Sequence, residues 1–433
     1  MGEEELRGRI LSQVAEYYEM VHARRSFEPG ITKVNYAGRV FDAEEMMSAA
    51  SAVLDFQLTA GRYAAELEQS LKKHFRARRF LLVNSGSSAN LLMVSTLCAR
   101  TAPEPLQDGD EVITPATTFP TTLAPILQNR LVPVFVDCEP GTLNMDLVKA
   151  MDAVGPRTRA IFVPHTLGSP WNLTALSEFA REKNLYLLED GCDALGATYD
   201  GKPVGSFGDM SSISCYPAHQ ITMGEGGGVA INNRFLVKTA LSMRDWGRDC
   251  WCDPGKSNTC EKRFGWQQGE LPFGYDHKYI YSNIGYNLKL TDLQAAIGVQ
   301  QLKKLPDFVA TRRRNFEAYR QSLAPLDEHM EFVRTDPRAE PSWFGFAMTL
   351  RPHVDRAKLI RHLEDRMIET RLLFGGNILR QPGYLGIPHR LVGELKETNR
   401  IAEKTFFIGV YPGLTPEMRG FVVETLLDYF AKL

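Results

Sequence analysis

Short apolar runs alternate with helix-patterned segments between about residues 80 and 235, and this alternation constrains the fold more than any other feature of the chain. The segments between the runs, such as SSANLLMVSTLCAR, carry apolar residues at helical spacing. The pattern predicts an α/β fold with a mostly parallel central sheet covered by helices on both faces. The predicted strands are FLLV (80–83), EVITP (111–115), PVFVD (133–137), AIFVP (160–164), LYLLED (185–190) and SSIS (211–214).

The predicted sheet belongs to the larger of two domains, because 433 residues are too many for one ordinary hydrophobic core. Residues 1–45 are predicted to form an N-terminal helical segment, 46–305 the large domain and 306–433 a smaller α+β domain. Residues 245–290 interrupt the alternation with an aromatic, glycine-rich and cysteine-bearing stretch.

The charge balance excludes several classes of partner. The chain has 50 Lys and Arg against 52 Asp and Glu and lacks a long basic run, which argues against nucleic acid or an acidic membrane as a partner. Its N-terminus has no signal-peptide apolar core, and no stretch approaches the ~18–20 apolar residues that span a bilayer. Seven cysteines, an odd number, argue against a disulfide framework. We therefore expect a cytoplasmic protein.

Polar and aromatic residues follow several of the predicted strands, where ligands of parallel sheets bind. The turn Ser85-Gly86-Ser87 opens a helix whose first N–H groups can bind an anion, although such turns are often only helix caps. Asp190 ends a strand and could hold a protonated pyridine nitrogen or cap the next helix. Phe119 could stack on a planar ring or pack in the core. Each motif alone leaves both readings open.

Taken in order, these motifs resemble the DegT/DnrJ/EryC1/StrS sugar aminotransferase family over about residues 35–430. The resemblance implies fold type I of the pyridoxal-phosphate-dependent transferases and a cofactor of the pyridoxal or pyridoxamine phosphate type. It also implies a set of cofactor-binding residues: the phosphate turn, the stacking aromatic, the strand-end carboxylate, Asp193 where the family usually has Gln, and a serine that binds phosphate. These residues are Gly86, Ser87, Phe119, Asp190, Asp193 and Ser214.

The phrase GYNLKLTD, residues 285–292, resembles the family motif whose asparagine reaches the phosphate of the neighbouring subunit. By that resemblance Asn287 acts in trans, and the protein is a homodimer with active sites at its interface. His165 resembles a family position near the cofactor and the sugar, although a packed core histidine fits the sequence equally well.

His219 occupies the position where the family has its cofactor-binding lysine, five residues before Gly224-Glu225-Gly226-Gly227. Imidazole cannot form the covalent link of a lysine with pyridoxal, so the resemblance implies free pyridoxamine phosphate. A histidine there can still take the C4′ proton, since its ordinary pKa lies near neutrality. The alternative is a decayed enzyme in which His219 is only a core imidazole.

The lysine-to-histidine replacement resembles the 3-dehydrase subgroup of the family, which makes deoxysugars such as those of lipopolysaccharide O-antigens. The implied activity is removal of the C3 hydroxyl from a nucleotide-linked 4-keto-6-deoxyhexose, with CDP-4-keto-6-deoxy-D-glucose as the expected substrate. A dTDP- or GDP-linked sugar is the near alternative, and a catalytically silent cofactor- or sugar-binding regulator is a third. An ordinary aminotransferase would need another lysine, and none lies between Lys202 and Lys238.

Three cysteines, Cys250, Cys252 and Cys260, lie within eleven residues of a polar loop. Thiolates at this density suit a soft metal centre, whereas structural zinc prefers Cys-x2-4-Cys pairs. A chance cluster of free cysteines is the remaining alternative. The loop resembles the 2Fe–2S loop of the dehydrases that take electrons from a flavin- and iron–sulfur-dependent NAD(P)H reductase. Because such a cluster usually needs four ligands, we expect Cys192 to be the fourth, with Cys215 the weaker choice.

Overall fold

The protein is described by a computed structural model that covers residues 2–23, 26–252 and 256–433. These described residues form twelve α-helices. They are α1 (Glu3–Val21), α2 (Ala43–Asp55), α3 (Arg62–Phe75), α4 (Gly86–Cys98), α5 (Pro120–Gln128), α6 (Leu147–Asp152), α7 (Leu173–Glu182), α8 (Val237–Arg244), α9 (Asp292–Ser322), α10 (Arg356–Glu364), α11 (Lys396–Lys404) and α12 (Pro416–Phe430).

Fifteen strands lie in the same described residues, and most are short. They are β1 (Arg79–Val83), β2 (Glu111–Pro115), β3 (Val132–Val136), β4 (Thr158–Pro164), β5 (Tyr186–Asp190), β6 (Thr198–Tyr199), β7 (Lys202–Pro203), β8 (Met210–Ser214), β9 (Gly227–Ile231), β10 (Met330–Phe332), β11 (Ala339–Glu340), β12 (Gly345–Leu350), β13 (Arg371–Leu372), β14 (Arg390–Leu391) and β15 (Thr405–Gly409).

Eight strands form the large central sheet, in the order β1-β9-β8-β5-β4-β2-β3-β14. Every neighbouring pair from β8 to β14 is parallel, and only β9 runs antiparallel to its neighbours β1 and β8. The central strands are buried along their length, as expected for a sheet covered on both faces. All six predicted strands are confirmed within two residues at each end, and the fold is that of the type I pyridoxal-phosphate-dependent transferases.

A second, antiparallel sheet has the order β10-β12-β15-β13 and shares a hydrophobic core with α10 and α12. Its core is separate from that of the large sheet and is rich in aromatic side chains, among them Phe316, Trp343 and Phe346. Val34 also belongs to this core, and its backbone bridges to Ile368. The chain before the large domain therefore crosses to the small sheet, and in the predicted N-terminal helical segment residues 26–42 are not helical.

The 31-residue helix α9 joins the two sheets. A capping box between Thr291 and Gln294 starts the helix, and its first half packs on α2 and α3. Its second half contributes Phe316 to the core of the small sheet. The boundary predicted between residues 305 and 306 falls inside this helix, so α9 is part of both predicted domains. Within the described ranges, none of the helices combines the length and apolarity needed to cross a membrane.

Candidate active site

A cavity of about 480 Å³ opens at the carboxyl ends of the parallel strands, between the two sheets. Parallel α/β sheets bind their ligands at this edge because the strand-to-helix loops converge there. Most of the site residues predicted from the sequence line this cavity, although the first and last of them are more than 130 residues apart in the chain. They are Gly86, Ser87, Phe119, His165, Asp190, Cys192, Asp193, Ser214 and His219.

One end of the cavity is the N-terminus of α4. Ser85 caps this helix, and its hydroxyl accepts a hydrogen bond of 3.0 Å from the Ser88 N–H. The N–H groups of Gly86 and Ser87, in the first turn, have no partner within the helix, so they are suited to a phosphate. A Cβ at Gly86 would come within 2.6 Å of Ser214 Cβ, which shows how closely the two phosphate-site segments approach.

Asp190 lies at the end of β5, and its carboxylate is held by donors on both oxygens. Oδ2 accepts hydrogen bonds of 2.7 Å from Asn90 Nδ2 and from Thr122 Oγ1. Oδ1 accepts bonds of 3.2 Å from Ser212 Oγ and from the Cys192 N–H. The carboxylate is therefore fixed in orientation, as a partner for a protonated ring nitrogen must be. No sequence pattern singled out Asn90 or Thr122, which are polar residues in otherwise apolar helices.

Phe119 is the residue before α5, and it lines the cavity with 49% of its surface exposed. Its ring meets the Phe374 ring edge to face, with 5.9 Å between the centroids. A phenyl ring with one face held by the protein and another open to the cavity can stack on a planar ligand.

His219 lies in the turn after β8, and its ring lines the cavity. Its Nδ1 atom is shielded from solvent, has no hydrogen-bond partner and lies 3.6 Å from Asp193 Oδ1. Burial, together with the positive charge of Arg312, lowers the pKa of His219 to about 4, against an opposite effect of Asp190. The imidazole is therefore neutral at pH 7 and can accept a proton.

Asp193 occupies the position of the family's glutamine, beside His219. Burial and the neighbouring Asp190 charge raise its pKa to about 8, although its Oδ2 accepts a 3.1 Å hydrogen bond from the Leu167 N–H. This carboxyl is therefore largely protonated at neutral pH and can donate a hydrogen bond, as the amide of a glutamine would.

His165 is buried and lines the same cavity, and its ring is held from behind. His165 Nε2 lies 3.0 Å from Glu189 Oε2. The Glu189 carboxylate also accepts hydrogen bonds from the backbone N–H groups of Gly205, Phe207 and Gly208. The imidazole of His165 is thus packed in the core and also lines the cavity. Both interpretations that the sequence left open therefore apply to this residue.

Asn287 does not line the cavity of its own chain. It is exposed, its Oδ1 accepts a 2.6 Å hydrogen bond from Lys289 Nζ, and its backbone bridges to Asp245. Its role in trans stays a prediction.

Cys192 lies on the cavity wall with its Sγ atom 3.6 Å from Ser212 Oγ. Burial and the neighbouring Asp190 raise the pKa of this thiol well above its usual value. None of the three loop cysteines lines this cavity.

The loop cysteines have partners of their own. Cys252 Sγ accepts a 3.4 Å hydrogen bond from the Thr259 N–H, and Cys260 Sγ lies 3.5 Å from His277 Nδ1. Burial raises the pKa of the Cys250 thiol, and the neighbouring Cys252 thiol also affects it. Residues 253–255 of the loop lie outside the described residues. Over the three described ranges, no group of three or more His, Cys, Asp or Glu side chains is assembled to hold a metal ion. The cysteine thiols are therefore suitable ligands for a soft metal, but the described residues do not bring them together into a metal site.

Residues 40–427 match the DegT/DnrJ/EryC1/StrS aminotransferase family. The chain belongs to this family. It is 46% identical over 428 residues to the lipopolysaccharide biosynthesis protein RfbH of Salmonella typhimurium, covering 98% of each chain. It is also 46% identical to the dTDP-4-dehydro-2,6-dideoxy-D-glucose 3-dehydratase of Saccharopolyspora spinosa, over 98% of this chain and 92% of that one.

A solved structure in the same family has the same fold. The GDP-4-keto-6-deoxy-D-mannose-3-dehydratase of E. coli, solved with bound hydrated PLP, superposes with a TM-score of 0.80 and 28% identity. The match covers 91% of this chain and 100% of that one. Family membership thus confirms the resemblance on which the site residues were assigned.

Proposed function

We propose that this protein is a pyridoxamine-phosphate-dependent 3-dehydratase acting on a nucleotide-linked 4-keto-6-deoxyhexose in deoxysugar biosynthesis. The observation that carries the proposal is His219, which stands on the cavity wall in place of the family's lysine. None of the described residues that line the cavity is a lysine. Among the described residues, the cavity therefore offers no side-chain amine to which pyridoxal could be linked covalently. The neutral imidazole of His219, in contrast, can accept a proton. The names of the relatives from Saccharopolyspora spinosa and E. coli support the same activity.

The cavity fits pyridoxamine phosphate at both of its ends. The first turn of α4 and Ser214 suit the phosphate, and the fixed Asp190 carboxylate suits the pyridine nitrogen. Bound there, the cofactor would supply an amine that condenses with the C4 ketone of the sugar and a ring that accepts electrons.

The chain's own residues would then have distinct tasks. Phe119 would hold the cofactor's ring by stacking, and Asp190 would keep the ring nitrogen protonated. His219 would accept the proton from C4′, and the cofactor would supply the electron path for loss of the C3 hydroxyl of the sugar. Because the pKa of His219 is about 4, the imidazole remains a neutral base down to about pH 5.

The substrate is proposed to carry CDP, as the resemblance of the cysteine loop implied. The relatives named above show that dTDP- and GDP-linked sugars are used by other members of the family. The preferred nucleotide is identified by incubating the enzyme separately with CDP-, dTDP- and GDP-linked 4-keto-6-deoxyhexoses. The preferred substrate is the one with the highest kcat/KM.

We further propose that Cys192, Cys250, Cys252 and Cys260 hold a 2Fe–2S cluster, and that a flavin- and iron–sulfur-dependent reductase delivers electrons from NAD(P)H. Four thiols match the ligand number of such a cluster. The proximity of the Cys250 and Cys252 thiols supports the proposal, as does the position of Cys192 beside Asp190. Metal sites commonly assemble as the metal binds, because thiolates repel one another until a cation neutralises them.

The proposed role of His219 as the catalytic base is tested with His219→Asn, which keeps a polar side chain but removes the imidazole that accepts the proton. We expect this variant to bind pyridoxamine phosphate, to lose exchange of the C4′ proton with solvent and to give no 3-deoxy product. His389→Asn, at an exposed histidine outside the cavity, is the matched control and should exchange normally. Exchange that survives in His219→Asn, or a cofactor found covalently tethered to the native enzyme, would contradict the proposed function.

The cluster is tested by purifying the protein anaerobically and measuring iron, acid-labile sulfide and the EPR spectrum. We expect a brown protein with two irons per chain, the stoichiometry of a 2Fe–2S cluster, and loss of its colour in Cys250→Ser. Cys98→Ser changes a cysteine on α4, outside the loop and the cavity, and should keep the colour. A colourless, iron-free wild type after anaerobic reconstitution would refute the cluster and leave the His219 proposal standing.

A further inference from the structure

Arg312 is a buried cation that the proposed chemistry does not use. It lies in α9 with 1% of its surface exposed, in the half of the helix that faces the small sheet. Among the described residues, no carboxylate forms an ion pair with it, and its Nε has no hydrogen-bond partner. Burying a guanidinium without a carboxylate lowers stability, so the few contacts it makes are informative.

Those contacts are two backbone carbonyls from different parts of the molecule. Arg312 Nη2 donates to the His219 carbonyl oxygen at 3.0 Å, and Nη1 donates to that of Trp343 at 3.0 Å. The planar fork of an arginine can bridge two such acceptors, whereas the single ammonium of a lysine cannot hold them in the same geometry. Arg312 therefore ties the turn that carries His219 to the segment before β12.

Two further contacts join the same two segments. Gln220 Nε2 donates to the Ser342 carbonyl oxygen at 2.8 Å and also to that of Asp193. The Phe344 ring lies 5.2 Å from the His219 ring, centroid to centroid. The His219 turn is thus held from the side of the small sheet.

We propose that Arg312 is the positioning residue for His219: by binding the carbonyls of both His219 and Trp343, it holds the imidazole in place against the cavity. The inference deepens the proposed function, since it rests on His219 being the base. Arg312 itself does not line the cavity.

The charges around His219 support this role. The Arg312 cation opposes protonation of the ring and contributes to the lowered pKa of His219, whereas Asp190 has the opposite effect. Asp193 faces Nδ1 at 3.6 Å, and His165 and Arg371 line the same cavity from β4 and β13. Burial lowers the pKa of Arg312 itself to about 10, so it is still charged at neutral pH.

The test compares Arg312→Met and Arg312→Lys with Arg313→Met. Arg313 is a matched control because it is the next residue of α9 and also donates to backbone carbonyls, those of Pro341 and Glu340, but does not contact His219. The first measurement is an NMR titration of protein labelled at histidine, with the His219 signal assigned from its absence in His219→Asn. This measurement needs no cofactor or sugar, so its outcome is independent of the proposed function.

Arg312→Met should raise the pKa of His219 by about one unit, the size of effect expected from a nearby charge. Arg312→Lys keeps the charge and should leave the titration unchanged, but it loses the fork and should slow C4′ proton exchange by about tenfold or more. Arg313→Met should match the wild type in both measurements. An Arg312→Met titration like that of the wild type, or an Arg313→Met effect as large, would overturn the proposal. If Arg312→Met does not fold, Arg312→Lys decides, and a wild-type exchange rate there refutes the clamp.

Discussion

Gly86 occupies a point where no other residue fits. A Cβ there would lie 2.6 Å from Ser214 Cβ and 2.9 Å from Cys192 Sγ, so two segments of the site would have to separate. The proposed phosphate site depends on this close approach, because the α4 N–H groups and Ser214 would have to converge on one anion.

We predict that Gly86→Ala lowers the affinity for pyridoxamine phosphate by about tenfold or more and destabilises the fold by about 1–3 kcal/mol, the usual effect of overpacking. Affinity is measured by equilibrium dialysis and stability by urea unfolding. Gly420→Ala is the control, since a Cβ there has open space within α12 and should be neutral or slightly stabilising. Equal affinities in the two variants would show that the tight approach does not shape the phosphate site.

At the scale of elements, the beginning of α9 anchors the beginning of α3. Asp292, buried at the first turn of α9, accepts hydrogen bonds of 2.8 Å from the N–H groups of Gly61 and Ala64. These N–H groups belong to the helix terminus that the helix itself cannot satisfy. One carboxylate therefore caps α3 from a distance of more than 200 residues in sequence.

We predict that Asp292→Ala destabilises the protein by about 2–4 kcal/mol, because it leaves the N–H groups of Gly61, Tyr63 and Ala64 without their acceptor, the last two of them buried. Asp292→Asn keeps an acceptor oxygen and should cost about half as much. The change in the midpoint of urea unfolding measures both. Asp327→Ala removes an exposed carboxylate from a surface ion pair with Arg320 and should change stability by less than about 1 kcal/mol. A similar midpoint for Asp292→Ala and Asp327→Ala would refute the cap.

The whole molecule places the cavity between two sheets that come from different parts of the chain. Phe344, Arg371 and Phe374 reach it from the smaller sheet, opposite the strand ends of the larger one. Asn287, in contrast, lies outside the cavity of its own chain, so we expect it to act at the phosphate site of a second subunit.

We predict that Asn287→Ala and His219→Asn complement each other. Each homodimer should have less than about a tenth of wild-type activity, given the usual effects of removing a positioning or an acid–base group. After the two variants are unfolded together and refolded, half of the dimers are mixed, and each has one site with both native residues. About a quarter of wild-type activity should return if Asn287 acts in trans. Activity that stays at the level of the separate variants would place Asn287 in cis or exclude a role for it.

The sequence by itself determined six of the eight strands of the large sheet and the N-terminus of α4, and the family resemblance indicated the position of the proposed base. The strands and the helix start depend on local patterns: short apolar runs between helical segments, and a serine–glycine turn before a helix. Such signals lie within a few residues of each other, so a single sequence carries them.

Only the tertiary structure decided what surrounds those residues. Asn90 and Thr122 reach Asp190 across 100 and 68 residues of sequence, and Arg312 reaches His219 across 93. The reversed direction of β9 and the continuity of α9 through the predicted domain boundary were likewise set by packing. Hydrogen bonds between distant side chains follow from how the elements pack, and a lone Asn, Thr or Arg in a helix has no local pattern that identifies its partner. The lowered pKa of His219 is therefore a property of the fold, because burial and the Arg312 charge, rather than the histidine itself, produce it.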